Sequence, residues 1–373
     1  MADLLLDLLK LMSKQGASDL YLKVGSPPML RIEGEMVSVK VDKLTPDQTQ
    51  GIANELMNEI QKVKFVRNPE INLIHSVPGT GRFRVNIYKQ RGSVGMVFRQ
   101  VKEEIQTLDE LGLPHILKEL ALTPRGLILI TGPSGSGKST TLAAMIDWIN
   151  EQKAGHIITI EDPIEFLHRD KNCIISQREI ESDTNSFSDA LKNVVRQSPD
   201  VILIGEMRDR ESVSSSVFFA ETGHLVLSSL HSINANQALE RIINFFPPDV
   251  HRELFVQLSL NMRGIVGQRL LPRQDGKGRI PAVEVLLNNA RFRELLKVGD
   301  LGTIKREIDM FQNDGMQSFD SSILQLYQKK LISQETALSH ADSPNDLRLK
   351  IKMMPPRDST VEIRAASSEG TAR

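Results

Sequence analysis

Cysteine is almost absent from this 373-residue chain, where Cys173 stands alone. A single thiol can close no internal disulfide and cannot build a cysteine-cluster zinc site. Cys173 therefore reads as a lone thiol in a reducing compartment. Aromatic residues are scarce, at 5%, and neither sign of charge prevails, since 46 basic residues face 47 acidic ones for a net charge of -1. A dedicated nucleic-acid binder shows a basic excess and stacking aromatics, and neither is found here. Long apolar runs are also missing. The stretch from Met1 to Met12 is interrupted by Asp3, Asp7 and Lys10. It is too short to span a bilayer, it lacks a secretory pattern, and its charges fall on one side at helical spacing. It is expected to form an amphipathic helix packed on its own domain, without direct membrane insertion. These absences leave a cytoplasmic globular protein of about two domains. Any membrane association would run through a partner.

What is present falls into two parts. Residues 1–100 read as α+β. A first helix ends near Gly16, and strand-like pieces follow at 20–24, 29–32 and 36–41. Thr45-Pro46-Asp47 opens a helix, with Thr45 as N-cap and Pro46 at the first helical position, and this helix runs past Met57. Alternation returns at 82–88 and 95–99, and in the first of these runs Arg82, Arg84 and Asn86 share the polar face. Residues 101–115, polar and then leucine-bearing, read as an interdomain linker. Over residues 116–354 short β-rich runs alternate with helical segments, the pattern of a parallel α/β sheet. Residues 355–373 have no apolar periodicity and are expected to be a disordered tail.

The strongest chemical signal is Gly132-Pro133-Ser134-Gly135-Ser136-Gly137-Lys138-Ser139. It matches G-x-x-x-x-G-K-S in full, between a buried-strand run at 127–130 and a helix that starts with Thr140. The glycines let backbone N–H groups close on phosphates, and the helix N-terminus adds a favourable field. Lys138 is expected to reach the β and γ phosphates of ATP, and Ser139 to ligate Mg²⁺.

The second signal is how the apolar runs end. Those at 127–130, 157–160, 201–204 and 225–227 lead, in turn, into the glycine-rich loop, into Glu161-Asp162-Pro163-Ile164-Glu165, into Gly205-Glu206, and through two serines to Leu230-His231. Ligands of open parallel sheets bind outside the carboxyl ends of the strands, so these endings should converge. Glu206 can help hold Mg²⁺ or act as general base on the attacking water. Asp209 reads as structural. Glu161, Asp162 and Glu165 form an acidic box, unfavourable beside a triphosphate unless a cation intervenes, which makes Ser139, Glu161 and Glu206 the candidate Mg²⁺ ligands. His224 and His231 bracket one strand-like run, and at about 3.3 Å per residue they stand roughly 23 Å apart. Both cannot touch one γ-phosphate. His231, at the carboxyl end, is the expected sensor, and His224 stays open between a catalytic role and a structural or subunit-interface one. Arg82, Arg84 and Arg91 are candidates for the arginine that P-loop ATPases often receive in trans.

In this order the boxes at 132–139, 161–165, 202–206 and 221–231 resemble those of the secretion ATPase superfamily of type II secretion and type IV pili. Gly16-Ala17-Ser18-Asp19-Leu20, a short N-terminal part and the lack of a tetracysteine motif are similar to the retraction branch, the PilT/PilU group. The stretches 235–243 and 340–349 resemble the PilU side of it. Phe292-Arg293-Glu294-Leu295-Leu296-Lys297 departs from the Ala-Ile-Arg-Asn-Leu-Ile-Arg motif of the PilT side. The resemblance implies a RecA-like P-loop ATPase domain with a smaller PAS-like N-terminal domain. It also implies a homohexamer with ATP bound between subunits, acting on the inner-membrane pilus platform protein to retract pili from a peripheral position at the pilus base. N-terminal-domain arginines would reach the nucleotide, and Arg82, Arg84, Arg91 and Arg99 are the positions available. The alternatives are an accessory ATPase that works only beside a sister retraction ATPase, and a RecA-like nucleic-acid translocase.

Overall fold

The structure, a computed structural model, describes residues 2–32, 34–101, 104–310 and 315–353. The expected tail at 355–373 lies outside them, as do Lys102 and Glu103 of the expected linker.

The first part is built on an antiparallel sheet of β1 (Asp19–Lys23), β2 (Met29–Ile32), β3 (Glu35–Ser38), β4 (Glu70–Val77), β5 (Gly81–Gln90) and β6 (Ser93–Gln100), in the order β3-β2-β1-β6-β5-β4. Helix α1 (Ala2–Lys14) buries Leu5, Leu8, Leu9 and Met12 and turns Asp3, Asp7 and Lys10 to solvent, as its spacing requires. Helix α2 (Pro46–Leu56) carries a full capping box, in which the Thr45 side chain and the Gln48 side chain each accept from the other's backbone N–H. It does not run past Met57. Met57 turns extended, Asn58 caps a separate helix α3 (Glu59–Arg67), and β4 follows. Strand β4 escapes sequence reading because it lies at the sheet edge and buries only Leu73 fully.

The second part is a mixed sheet of β7 (Gly126–Thr131), β8 (Gly155–Glu161), β9 (Cys173–Glu179), β10 (Val201–Ile204), β11 (Leu225–Leu230), β12 (Met262–Pro272) and β13 (Arg279–Leu287). Its order is β13-β12-β7-β11-β10-β8-β9, and every pairing is parallel except β12 with β13. Helices α4 (Ile116–Ala121), α5 (Lys138–Gln152), α6 (Phe187–Val194) and α7 (Arg210–Glu221) pack on its faces. Parallel strands covered on both faces read as continuous apolar runs. Accordingly, Leu127 and Leu129 of β7 enter one core while Ile128 and Ile130 enter the other.

Strand β11 runs three residues further than its apolar stretch, straight through the two serines. Their hydroxyls are buried and satisfied where β10 ends, Ser228 Oγ donating to Ile204 O and Ser229 Oγ to Gly205 O, both at 2.6 Å. The carboxyl ends of β7, β11, β10 and β8 therefore lie side by side on one rim of the sheet. No helix among the described residues is long and apolar enough to cross a membrane.

Candidate functional site

At that rim β7 turns through the glycine-rich loop into α5. Gly135 and Gly137 adopt φ of 74° and 92°, a region that disfavours side chains. A Cβ on Gly132 would come within 2.4 Å of the Gln268 carbonyl oxygen on β12, and one on Gly137 within 2.8 Å of Gln268 Nε2. No side chain caps α5, whose N-cap is Gly137 itself. Its first-turn amides are free for an anion. Lys138 is only 8% exposed, and its Nζ donates to Gly132 O at 2.9 Å and Pro133 O at 3.0 Å. Burial draws its pKa down, and Glu206 and Glu165 pull it back up. Ser134, Gly135, Lys138 and Ser139 line a cleft of about 300 Å³. Ser136 is turned away and buried with its Oγ unpartnered, and Thr140 is half-buried outside the lining.

Glu161, Asp162, Glu165, Glu206 and His231 line the same cleft. His231, Glu206 and Asp162 form a connected chain with Lys138 and Arg208. Lys138 Nζ lies 3.3 Å from His231 Nδ1, and His231 Nε2 lies 3.2 Å from Glu206 Oε1. An ammonium can only donate, so this network assigns the lone pair to Nδ1 and the proton to Nε2. Arg208 Nε donates to the other Glu206 oxygen at 2.7 Å, and Arg208 NH1 donates to Asp162 Oδ2 at 2.7 Å. Both carboxylate bonds hold the Arg208 pKa above its ordinary value, that to Glu206 most. Burial pushes the Glu161 carboxyl up, and hydrogen bonds from Thr159, Gln177 and the Glu165 backbone pull it down.

The remaining candidates stand elsewhere. His224 sits at the opposite end of β11, its Nδ1 3.0 Å from Phe219 O and 3.2 Å from Thr222 Oγ1. It does not line the cleft. The Arg82 guanidinium reaches Glu179 of β9 at 3.4 Å, and Arg84 donates to Ile164 O in the acidic loop. Both contacts are made within the chain, and neither residue lines the cleft. Burial lowers the Arg84 pKa and raises that of Glu179, the latter opposed by Arg82. Arg99 pairs with the buried Asp19 at 2.8 Å, and Arg91 is exposed at the β5–β6 turn with φ of 49°. Asp209 caps α7 through a full capping box.

Three residues of the site were not foreseen. Arg208 lies two residues past Glu206, where an extension of the strand-end rule would have reached it. Gln268 accepts from Thr141 Oγ1 at 2.7 Å across a sequence separation of 127, and no local signal marks it. His168 lines the cleft with its Nδ1 buried and unpartnered, and burial pushes its pKa to about 4 from 6.5. Between those two values the unfolded chain binds a proton that the fold refuses. Stability is thus expected to fall as pH drops through 6.5 toward about 4, by up to about 3 kcal/mol from this group. Denaturant midpoints at pH 7 and pH 4.5 check this. His168→Phe should flatten that part of the curve, and an unchanged slope would refute the assignment.

A family model described as "Type II/IV secretion system protein" matches residues 8–307. The Pseudomonas aeruginosa protein named type IV pilus ATPase PilU is 51% identical over 346 residues, covering 93% of this chain and 91% of that protein. The retraction ATPase PilT of the same species is 39% identical over 340 residues, covering 91% and 98%. A crystal structure of the pilus retraction motor PilT with bound ADP superposes with a TM-score of 0.86 at 41% identity, covering 92% of this chain and 98% of that one.

Proposed function

Since the chain belongs to the type II/IV secretion system protein family, we propose that it is an ATP-hydrolysing motor that powers or assists type IV pilus retraction, the process named for its relatives. The observation that carries this reading is the convergence of Lys138, His231, Glu206 and Glu161 on one cleft at the carboxyl end of a parallel sheet.

The residues divide the work as follows. The loop amides and the start of α5 bind the phosphates. Lys138 leaves the Gly132 and Pro133 carbonyls for the β and γ phosphates. Glu206 takes the proton of the attacking water, and His231, between Glu206 and Lys138, registers the γ-phosphate. The described residues contain no group of three or more His, Cys, Asp or Glu placed to hold a metal. One hydroxyl and two carboxylates fit Mg²⁺ brought in by the nucleotide, and Ser139, Glu161 and Glu206 are the residues that would hold it. The ion would offset phosphate charge. An arginine among Arg82, Arg84, Arg91 and Arg99 completes the site, and His224 serves structure or a subunit interface.

In this reading residues 1–100 and 116–354 are two domains that move against each other. The chain works as a homohexamer on the inner-membrane platform protein, peripheral to the membrane and independent of nucleic acid. Steady-state ATPase activity of the purified protein, with and without single-stranded DNA and with particle size measured on the same sample, tests it. DNA-independent turnover in hexamer-sized particles is expected. Activity that appears only with DNA would overturn the pilus reading. Activity that appears only on adding a sister retraction ATPase would make this chain its accessory.

A further inference from the structure

Strands β8 and β9 pair in parallel with Thr159 opposite Gln177 and Glu161 opposite Glu179. Alternate residues of a strand share a face. These four polar side chains are therefore grouped on one side of the sheet at its carboxyl rim.

Gln177 is the connector of the group. Its Nε2 donates to Phe166 O at 2.9 Å and to Glu161 Oε1 at 3.3 Å. Its Oε1 accepts from the His168 backbone N–H at 2.8 Å. One amide thus grips the carboxylate that ends β8 and the far end of the loop that follows it. That loop carries Asp162 and Glu165 into the cleft. Thr159 Oγ1 donates at 2.7 Å to the same Glu161 oxygen that Gln177 holds. Two donors on one oxygen fix the plane of a carboxylate, where a single bond would leave it free to swing. Gln177 itself does not line the cleft.

We propose that Gln177 is a positioning residue for hydrolysis, holding the Glu161 carboxylate and the acidic loop in register with the bound phosphates. This rests on the reading of the cleft as an ATPase site with Glu161 in it. A purely structural glutamine would anchor the loop just as well. What separates the two is coupling to Glu161.

The experiment is a double-mutant cycle in the full chain. Gln177→Glu keeps the acceptor for His168 N–H, removes both donors and sets a second carboxylate beside Glu161. Gln177→Met removes every polar contact at similar volume. Both should lower kcat about tenfold, with KM and the Mg²⁺-free affinity for ADP, by calorimetry, changed less than about twofold. In a Glu161→Gln background the same substitutions should lower kcat by less than about twofold, because residues acting through one group do not add. Full, independent losses in that background would overturn the proposal, as would a change confined to KM or ADP affinity. If Glu161→Gln alone turned over like wild type, Glu161 would have no part in the reaction and the positioning role would fall with it. A wild-type protein that neither binds ADP nor hydrolyses ATP would sink the ATPase reading itself, a result that no Gln177 variant could mimic.

Discussion

Lys138→Met is expected to weaken ATP binding by at least about 100-fold, or about 3 kcal/mol. Charge-assisted bonds to phosphate are among the strongest that a side chain makes, and no second cation among the cleft-lining residues sits on the glycine-rich loop. The same substitution should leave the nucleotide-free fold at least as stable. In that state the ammonium is buried against two backbone carbonyls and its pKa is drawn down by desolvation, so its charge opposes folding. Titration with a fluorescent nucleotide and a thermal melt, run on one preparation, read both effects. Normal affinity would remove the loop from the binding site. Lost affinity together with a collapsed melt would mean that Lys138 is structural.

Glu206→Gln is expected to keep nucleotide affinity and to lose about 10² to 10³ in kcat. The shape survives but the base does not. The change is not silent even without chemistry. Arg208 donates to Glu206 Oε2, and Oε1 faces His231 Nε2 at 3.2 Å. An amide offers one oxygen and one NH₂, so one of these donors would face another donor. His231 cannot relieve this by changing tautomer, because its Nδ1 faces the Lys138 ammonium. Single-turnover kinetics with saturating ATP isolate the step. Unchanged turnover would move the base to Glu161 or Glu165.

The parts of this molecule that could be read from sequence are those whose cause is local. The glycine-rich loop announces itself because strand, turn and helix follow one another within a short stretch. The convergence of Glu161, Glu206 and His231 could be read because parallel strands must present their carboxyl ends on one rim, and strand length alone separated His231 from His224. What could not be read depends on pairing between distant segments. Ser228 and Ser229 interrupt an apolar run, and nothing in their neighbourhood reveals that β10 ends beside them with two carbonyls to satisfy. Gln177 and Gln268 are ordinary polar residues until the registers of β9 on β8 and β12 on β7 place them. Strand β12 carries Gly264, Gly267, Gln268 and Arg269 in its interior, a composition that hides a strand from any propensity argument.

The seam between the two sheets has a consequence for the machine as a whole. Arg82 and Arg84 cross it to Glu179 and to Ile164 O, yet the Nε atoms of both are buried without a partner among the described residues. Stripping water from two guanidinium groups and satisfying them only in part returns much of the attraction that joins them. These two contacts are thus specific in where they close and contribute little net attraction. In the proposed motor, contacts of that kind would yield to the binding free energy of a single nucleotide and leave the stroke little to break.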